Sequence, residues 1–188
     1  KVTLMIFIIV IGLSEKALIA DQDSNQELLK ILFIGSSYFA SNDLSGLFEN
    51  LTSHSGKSVY IDKQLTGGFY LYDHANSSAT EAKINAQDWD YVILQGVGRL
   101  TAYPESYSDH PVYPALISLR DKISNNCEST KMVFCLPWAY EDGMTWLAGW
   151  TDTYEDMQIQ IYENTLLYSE KVGFEIAPVG WAWYKVLK

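Results

Sequence analysis

Five short apolar segments, separated by helix-like patterns, limit most strongly what this chain can fold into. Each has the length of a buried strand, and the segments between them repeat apolar residues at helical spacing. Strands that alternate with helices predict a parallel sheet with right-handed crossovers and helices on both faces. The predicted fold is therefore α/β, a three-layer fold with a five-stranded parallel sheet over Leu29–Ile34, Ser58–Leu65, Tyr91–Gln95, Lys131–Leu136 and Phe174–Pro178.

The helical patterns between these strands differ in clarity. The longest covers 154–172, and the one over 43–55 carries its apolar residues on one face. Ser41 or Asn42 is the predicted cap of that helix, because short polar side chains accept hydrogen bonds from its first N–H groups. The remaining helices are predicted over 78–86 and 113–123 and from Trp181 to Leu187.

A serine follows the first predicted strand. Gly35, Ser36 and Ser37 come directly after its apolar residues. Open parallel sheets bind ligands at the carboxyl ends of their strands, and N–H groups at a helix start have no intrahelical partner. A hydroxyl beside such donors is what acyl transfer requires. Taken alone, the three residues are more typical of an ordinary turn, because small residues are common there.

Two further loops reach the same predicted edge. Gly67 and Gly68 follow the second strand, and Gln95 ends the third. A glycine N–H and a carboxamide beside a serine would hold an oxyanion, each donor being worth about a hundredfold or more in rate. Each pattern alone is typical of a flexible turn or of a polar strand end. Their placement after three successive strands predicts a site at this edge.

The ordered set of segments resembles the SGNH (GDSL-like) hydrolase superfamily, and more narrowly a bacterial branch whose first block reads Gly-Asn-Ser. The resemblance covers residues 30 to 188 and implies a flavodoxin-like sheet and a serine esterase without metal or organic cofactor. The matching segments are Ile34–Tyr38, Gly67-Gly68 with Leu71 and His74, Val92–Gln95, Pro137–Ala139, Met157-Gln158 and Ala177–Trp183.

The same resemblance implies catalytic roles. Ser37 would be the nucleophile, and the N–H groups of Ser37 and Gly68 and the side-chain amide of Gln95 would hold the oxyanion. Two positions depart from the family pattern. Ser36 stands where Asp or Asn is usual. Gln95 stands where the superfamily usually has Asn, although the narrower branch uses Gln.

The family's base and its orienting acid form an Asp-x-x-His block after the helix that follows strand five. The sequence up to Lys188 does not contain that block, and His54, His74 and His110 do not match its place. A serine hydroxyl is a weak nucleophile without a base. We therefore expect the SGNH-hydrolase-like domain, residues 21–188, to be truncated at its carboxyl end. The alternative is a catalytically inactive relative.

The long segment after strand four is rich in aromatic residues. Trp138 and Tyr140 are the candidate substrate-binding residues there, with Trp146 and Trp150 nearby, because aromatic faces on a rim stack on sugar rings. Packing into the core is the commoner role of such side chains. Together with the family's tendency, these residues predict a small-molecule or glycan ester as substrate, and deacetylation of carbohydrate as the reaction.

The amino-terminal segment predicts the compartment. Lys1, an apolar run to Leu13 and a small residue at Ala20 are typical of a secretory signal peptide over residues 1–20. The run is short for a membrane span, so we expect a secreted or periplasmic protein. A buried strand or a retained anchor is the alternative. In an oxidising compartment, Cys127 and Cys135 could form a disulfide; two buried free thiols are the alternative.

Charge and composition exclude other classes. Thirteen basic and 23 acidic residues give a net charge of −10, which argues against nucleic-acid binding. The two cysteines and three histidines show no zinc-site spacing. Two functions besides the esterase stay open. One is an inactive SGNH-like carbohydrate-binding module. The other is a flavodoxin-like nucleotide or phosphate binder. Against this function, the loop at Gly35–Ser37 lacks the Gly-x-x-x-x-Gly-Lys pattern.

Overall fold

The computed structural model describes residues 28–104, 111–146, 149 and 151–188. They contain one sheet of five parallel strands in the order β2-β1-β3-β4-β5. This is the strand order of flavodoxin-like folds. The predicted fold class is therefore confirmed. The strands are β1 (Leu29–Gly35), β2 (Val59–Leu65), β3 (Tyr91–Gln95), β4 (Lys131–Cys135) and β5 (Glu175–Ala177).

The helices of the described residues follow the strands in turn. The longest agrees at both ends with its prediction, because Thr153 caps its start and Gly173, at φ 84°, ends it. In chain order the helices are α1 (Ser37–Ala40), α2 (Leu44–His54), α3 (Leu71–Ala75), α4 (Ser78–Ile84), α5 (Gly98–Thr101), α6 (Val112–Asn126), α7 (Tyr154–Val172) and α8 (Val179–Leu187).

The structure corrects the predicted helices in three respects. Helices α1, α3 and α5 have only four or five residues, too few to show a helical repeat in the sequence. Helix α8 begins directly after Pro178, two residues before the predicted start. Asp43, rather than Ser41 or Asn42, caps α2: it has a left-handed φ of 44°, and its carboxylate accepts the N–H of Gly46 at 3.4 Å.

Side chains of the strands alternate between two buried apolar layers. Leu32 and Ile34 of β1 belong to the layer that α3, α4, α6 and α7 cover. Ile31 and Phe33 point to the other face and pack against α1 and α2, with Phe33 in edge contact with Phe48 at 5.8 Å. Apolar residues on both faces are typical of a parallel sheet between helical layers.

The register of the strands aligns their carboxyl ends. Gly35 of β1 pairs with Leu65 of β2, and Ile34 pairs with Leu94 of β3. The loops that follow these three strands therefore leave from one edge of the sheet. This edge is where the predicted site lies.

The predicted signal peptide, residues 1–20, lies outside the described residues. Among the helices that the structure does describe, none has the length and apolar character needed to cross a membrane. Cys127 and Cys135 are both free thiols.

Candidate functional site

Ser37 occupies an exposed position just after the inner strand β1. It is the first residue of α1, and its neighbour Ser36 is buried in extended conformation. The carbonyl oxygen of Ser36 accepts the N–H groups of Phe39 and Ala40 at 3.1 and 3.3 Å. The chain thus turns from strand to helix within one residue, and the Ser37 side chain faces solvent at the edge of the sheet.

The turn requires glycine at position 35. A Cβ atom there would lie 3.0 Å from the Cβ and Oε1 atoms of Gln95 and from Cδ2 of Phe39. These distances are shorter than ordinary van der Waals contacts, and two of the three atoms lie in a buried side chain at the end of β3. The absence of a side chain at Gly35 therefore allows Gln95 to approach the serine turn.

The side chain of Gln95 is oriented by three hydrogen bonds. Its Oε1 atom accepts both the N–H and the hydroxyl of Ser36, each at 2.8 Å, and its Nε2 atom donates to the Gly96 carbonyl at 2.5 Å. A backbone N–H only donates, so these contacts fix which end of the amide is oxygen. Ser36, where the family has Asp or Asn, therefore links the serine turn to β3.

His74, on α3, holds the same turn through the carbonyl group of Gly35. Its side chain is 1% exposed, its Nε2–H donates to the Gly35 carbonyl at 3.1 Å, and its Nδ1 accepts the hydroxyl of Thr80 at 2.9 Å. Burial lowers the pKa of His74, against the opposing effects of the Gly35 carbonyl and the Asp73 carboxylate. Both ring nitrogens are engaged, so His74 is a neutral structural group.

Gly68 lies in the open loop after β2. The loop is a turn in which Phe69 donates to the carbonyl of Thr66 at 3.2 Å, and Gly68 has a φ of 79° that favours glycine. Thr66 in turn donates to the Gly35 carbonyl at 3.0 Å. The loop that carries Gly68 is thereby tied to the base of the serine turn, while Gly68 itself is exposed.

A largely apolar cavity of about 340 Å³ opens beside the serine turn. Asn42, Gln95 and Gly96 form its polar lining, which does not include Ser37 or Gly68. The size is in the range of small-molecule sites. Its apolar walls come from the first helices, the loop after β4 and α8, through Tyr38, Phe39, Leu44, Leu47, Trp138, Val179 and Trp183.

Of the two candidate substrate-binding residues, Trp138 lines this cavity and Tyr140 lies further along the same loop. The ring of Trp138 packs on Tyr38 with centroids 5.2 Å apart, and the ring of Tyr140 lies 6.5 Å from that of Trp146. Buried Gln158 of α7 holds the loop, since its amide accepts the N–H of Ala139 at 2.9 Å and donates to the Pro137 carbonyl at 3.3 Å. Trp150 lies outside the described residues.

The remaining polar candidates are His54, His110 and Cys135. His54 is exposed at the end of α2 and bonds the carbonyl of Asn50 at 2.6 Å, and His110 lies outside the described residues. Burial raises the pKa of Cys135 to about 12, so this cavity thiol stays protonated. No group of three potential metal-binding side chains occurs among residues 28–104, 111–146, 149 and 151–188.

Three features of the site escape sequence reasoning. The sequence does not indicate that His74 bonds to the Gly35 carbonyl, because the partners are 39 residues apart. The hydrogen bond between the side chains of Ser36 and Gln95 is equally hidden, because these residues are 59 positions apart. Tyr38 was detectable only as a neighbour of Ser37, and nothing in its local pattern indicates the contact with Trp138.

Comparisons with solved structures find the same fold in several hydrolases. A candidate SGNH hydrolase from Slackia heliotrinireducens superposes with a TM-score of 0.67 at 19% identity, over 85% of this chain and 83% of that one. An acetyl xylan esterase, AlAXEase, superposes with a TM-score of 0.55 at 14% identity, over 81% of this chain and 78% of that one. A variant of the acetyl xylan esterase Axe2 from Geobacillus stearothermophilus has a TM-score of 0.56 at 16% identity, over 85% of this chain and 80% of that one.

No protein-family profile and no curated protein sequence matches the chain. The similarity is therefore one of structure, and at identities of 14–19% it concerns the fold. The resemblance inferred from the sequence is confirmed at that level: the chain has the fold of the SGNH (GDSL-like) hydrolases.

Proposed function

We propose that this protein is a serine esterase that hydrolyses acyl esters through an acyl-enzyme on Ser37. The exposed Ser37, at the start of α1 and just after the inner strand β1, is the observation that carries the proposal. Its turn is fixed by Gln95 from one side and by His74 from below. A fixed nucleophile beside preorganised donors is the arrangement that acyl transfer uses.

The proposed reaction has two steps. The Ser37 oxygen attacks the ester carbonyl carbon, its proton passes to a base, and the alcohol leaves with a proton. Water then attacks the acyl-serine and releases the carboxylic acid and free serine. The N–H groups of Ser37 and Gly68 and the amide of Gln95 would hold the oxyanion. One Nε2 hydrogen of Gln95 is bonded to the Gly96 carbonyl, and the second is the proposed donor.

The proposed base is a histidine that the described residues do not supply. His74 uses both ring nitrogens in the fold, and His54 lies on the exposed end of α2. The resemblance implies the histidine of an Asp-x-x-His block, which the printed sequence lacks. The chain therefore supports the nucleophile and the oxyanion site more directly than the base.

The proposed substrate is an acetylated carbohydrate. Trp138 and Tyr38 form an aromatic wall of the cavity beside the turn, and aromatic faces suit sugar rings. Two structurally similar proteins are acetyl xylan esterases, which supports this substrate class. The proposed compartment is the periplasm or the cell exterior, as the amino-terminal sequence pattern indicates.

Labelling with a fluorophosphonate and hydrolysis of acetylated xylo-oligosaccharides test the proposal on the full-length protein. The wild type should be labelled on Ser37 and should release acetate, and Ser37→Ala should do neither. Ser41→Ala is the matched control, since Ser41 is exposed four residues further along and should leave both activities unchanged. Gln95→Ala should lower kcat about a hundredfold. Acetate release by a folded Ser37→Ala variant would refute the role of Ser37.

The alternative is a carbohydrate-binding module without catalysis. The aromatic wall that Trp138 and Tyr38 form at the cavity is the observation that fits it. Such a module would bind the same oligosaccharides, would not react with the phosphonate and would release no acetate. The labelling experiment therefore separates the two functions.

A further inference from the structure

The guanidinium group of Arg99 lies at the same edge of the sheet as Ser37. Arg99 belongs to α5, four residues after Gln95. Its Nη2 atom donates to the Tyr70 hydroxyl at 2.6 Å, and its guanidinium carbon lies 5.6 Å from the centre of the Tyr70 ring. The loops that follow β2 and β3 therefore meet through this pair.

Within residues 28–104, 111–146, 149 and 151–188, no carboxylate balances the charge of Arg99. Its Nε atom is buried without a hydrogen-bond partner among these residues. The Asp73 carboxylate, on the neighbouring helix, accepts the N–H of Tyr70 at 2.8 Å instead. A cation without a paired carboxylate is stabilised by an anionic ligand, which the Nη groups rather than the buried Nε–H would contact.

Arg99 is one of several polar groups that converge above the strand ends. Arg99, Tyr38 and Tyr70 all lie within electrostatic range of the Tyr140 hydroxyl. Tyr38 follows β1, Tyr70 follows β2, Arg99 follows β3 and Tyr140 follows β4. The segments after four strands thus bring these groups near Tyr140, with Tyr103 as a further phenol in range, and Tyr38 is the direct neighbour of Ser37.

We propose that Arg99 binds a carboxylate of the substrate, so that the enzyme prefers acidic carbohydrate esters, such as acetylated uronic acids, to neutral ones. The proposal rests on the proposed esterase function. A guanidinium group binds carboxylates through paired N–H donors, and the three phenols can donate to the same ligand. The whole chain carries a net charge of −10, which repels anions at long range. A local cation would offset that repulsion where the substrate enters.

Two matched esters test this specificity in the full-length protein. One is an acetylated methyl glucoside, and the other is the corresponding acetylated methyl glucuronide, which differs only by its carboxylate. We expect wild type to favour the glucuronide. Arg99→Gln should lower kcat/KM for the glucuronide about 10- to 100-fold, the range expected for a hydrogen bond to a charged group, and should change the glucoside value by less than threefold. Arg99→Lys should retain part of the preference.

Arg120→Gln is the control for removing an arginine. The chain has only these two arginines, and Arg120 pairs with Asp121 on α6, near the beginnings of β4 and β5 at the opposite edge. This variant should keep the wild-type ratio of kcat/KM for the glucuronide to that for the glucoside.

A second pair of esters, a butanoyl and a succinyl ester of the methyl glucoside, shows which part of the substrate carries the recognised carboxylate. A preference for the succinyl ester would place it on the acyl group, and a preference for the glucuronide on the sugar.

Binding measurements separate this inference from the esterase itself. If wild type hydrolyses both sugars equally, or if Arg99→Gln keeps the preference, the role of Arg99 is wrong while the esterase stands. If wild type hydrolyses neither, calorimetric binding of methyl glucuronide and methyl glucoside decides. Tighter binding of the glucuronide that Arg99→Gln abolishes supports the carboxylate site, and equal binding overturns it. The melting temperature of each variant shows whether it folds.

Discussion

Replacing His74 tests whether its hydrogen bond to the Gly35 carbonyl stabilises the serine turn. His74→Ala would remove a buried ring together with its bonds to the Gly35 carbonyl and the Thr80 hydroxyl. The two hydrogen bonds are worth about 1 kcal/mol each, and the cavity adds about 2 kcal/mol. We expect the free energy of unfolding to fall by about 3–4 kcal/mol, measured by urea denaturation at pH 7.5 with circular dichroism.

His74→Gln separates the hydrogen bond from the volume. The glutamine amide can donate to the Gly35 carbonyl in place of Nε2, so only the bond from Thr80 is lost, at about 1 kcal/mol. His54→Gln, at the exposed end of α2, should change the stability by less than about 0.5 kcal/mol. Equal losses for the Ala and Gln variants would contradict the anchoring bond.

The same histidine makes stability depend on pH. Burial lowers the pKa of His74 in the folded state, while the histidine of the unfolded chain titrates near its ordinary pKa of 6.5. Between these two values the unfolded state binds more protons, so its population rises as the pH falls. The stabilisation is complete above pH 6.5 and is lost progressively toward the folded-state pKa. Subtracting the profile of His74→Gln from that of wild type between pH 7.5 and 5 isolates this effect. A flat difference would refute a buried neutral histidine.

Two further predictions concern the ends of β3 and β4. Gly96→Ala should lower the free energy of unfolding by about 1–3 kcal/mol, because its Cβ would lie 2.5 Å from the buried ring of Phe134. A loss below about 0.5 kcal/mol in urea denaturation would contradict this packing. Dithionitrobenzoate at pH 8 should modify Cys127 first, since the hydrogen bond with Ser129 lowers its pKa while burial raises that of Cys135 to about 12. Equal rates for both thiols in the folded protein would be inconsistent with this structure.

Most of the fold was predictable because its signals are local. The apolar run Ile31–Ile34 is long enough for a strand and too short for a helix, and the repeat over 154–172 is long enough to show helical spacing. The caps were harder to predict. Ser41, Asn42 and Asp43 are all suitable cap residues, and the left-handed backbone at Asp43 decides between them. That conformation depends on how α1 ends, which the local sequence does not indicate.

The site was predictable in its positions and less so in its contacts. The sheet topology alone places Ser37 and Gln95 at one edge, because Ser37 follows β1 and Gln95 ends β3, which are parallel. The orientation of the Gln95 amide depends on Ser36, and the anchoring of Gly35 depends on His74, through bonds that span 59 and 39 residues. Such pairs leave no periodic pattern in a single sequence. The conformations of Trp138 and Tyr140 depend equally on distant packing.

The anchors of the serine turn and the aromatic groups around it are separate sets of residues. Gly35 is held by Thr66 and His74, whose bonds lie at the level of the sheet. Trp138 and Tyr140, by contrast, belong to the loop after β4, which Gln158 holds from α7. Substitutions at the two aromatic positions should therefore leave the anchoring of Gly35, and with it the place of Ser37, unchanged.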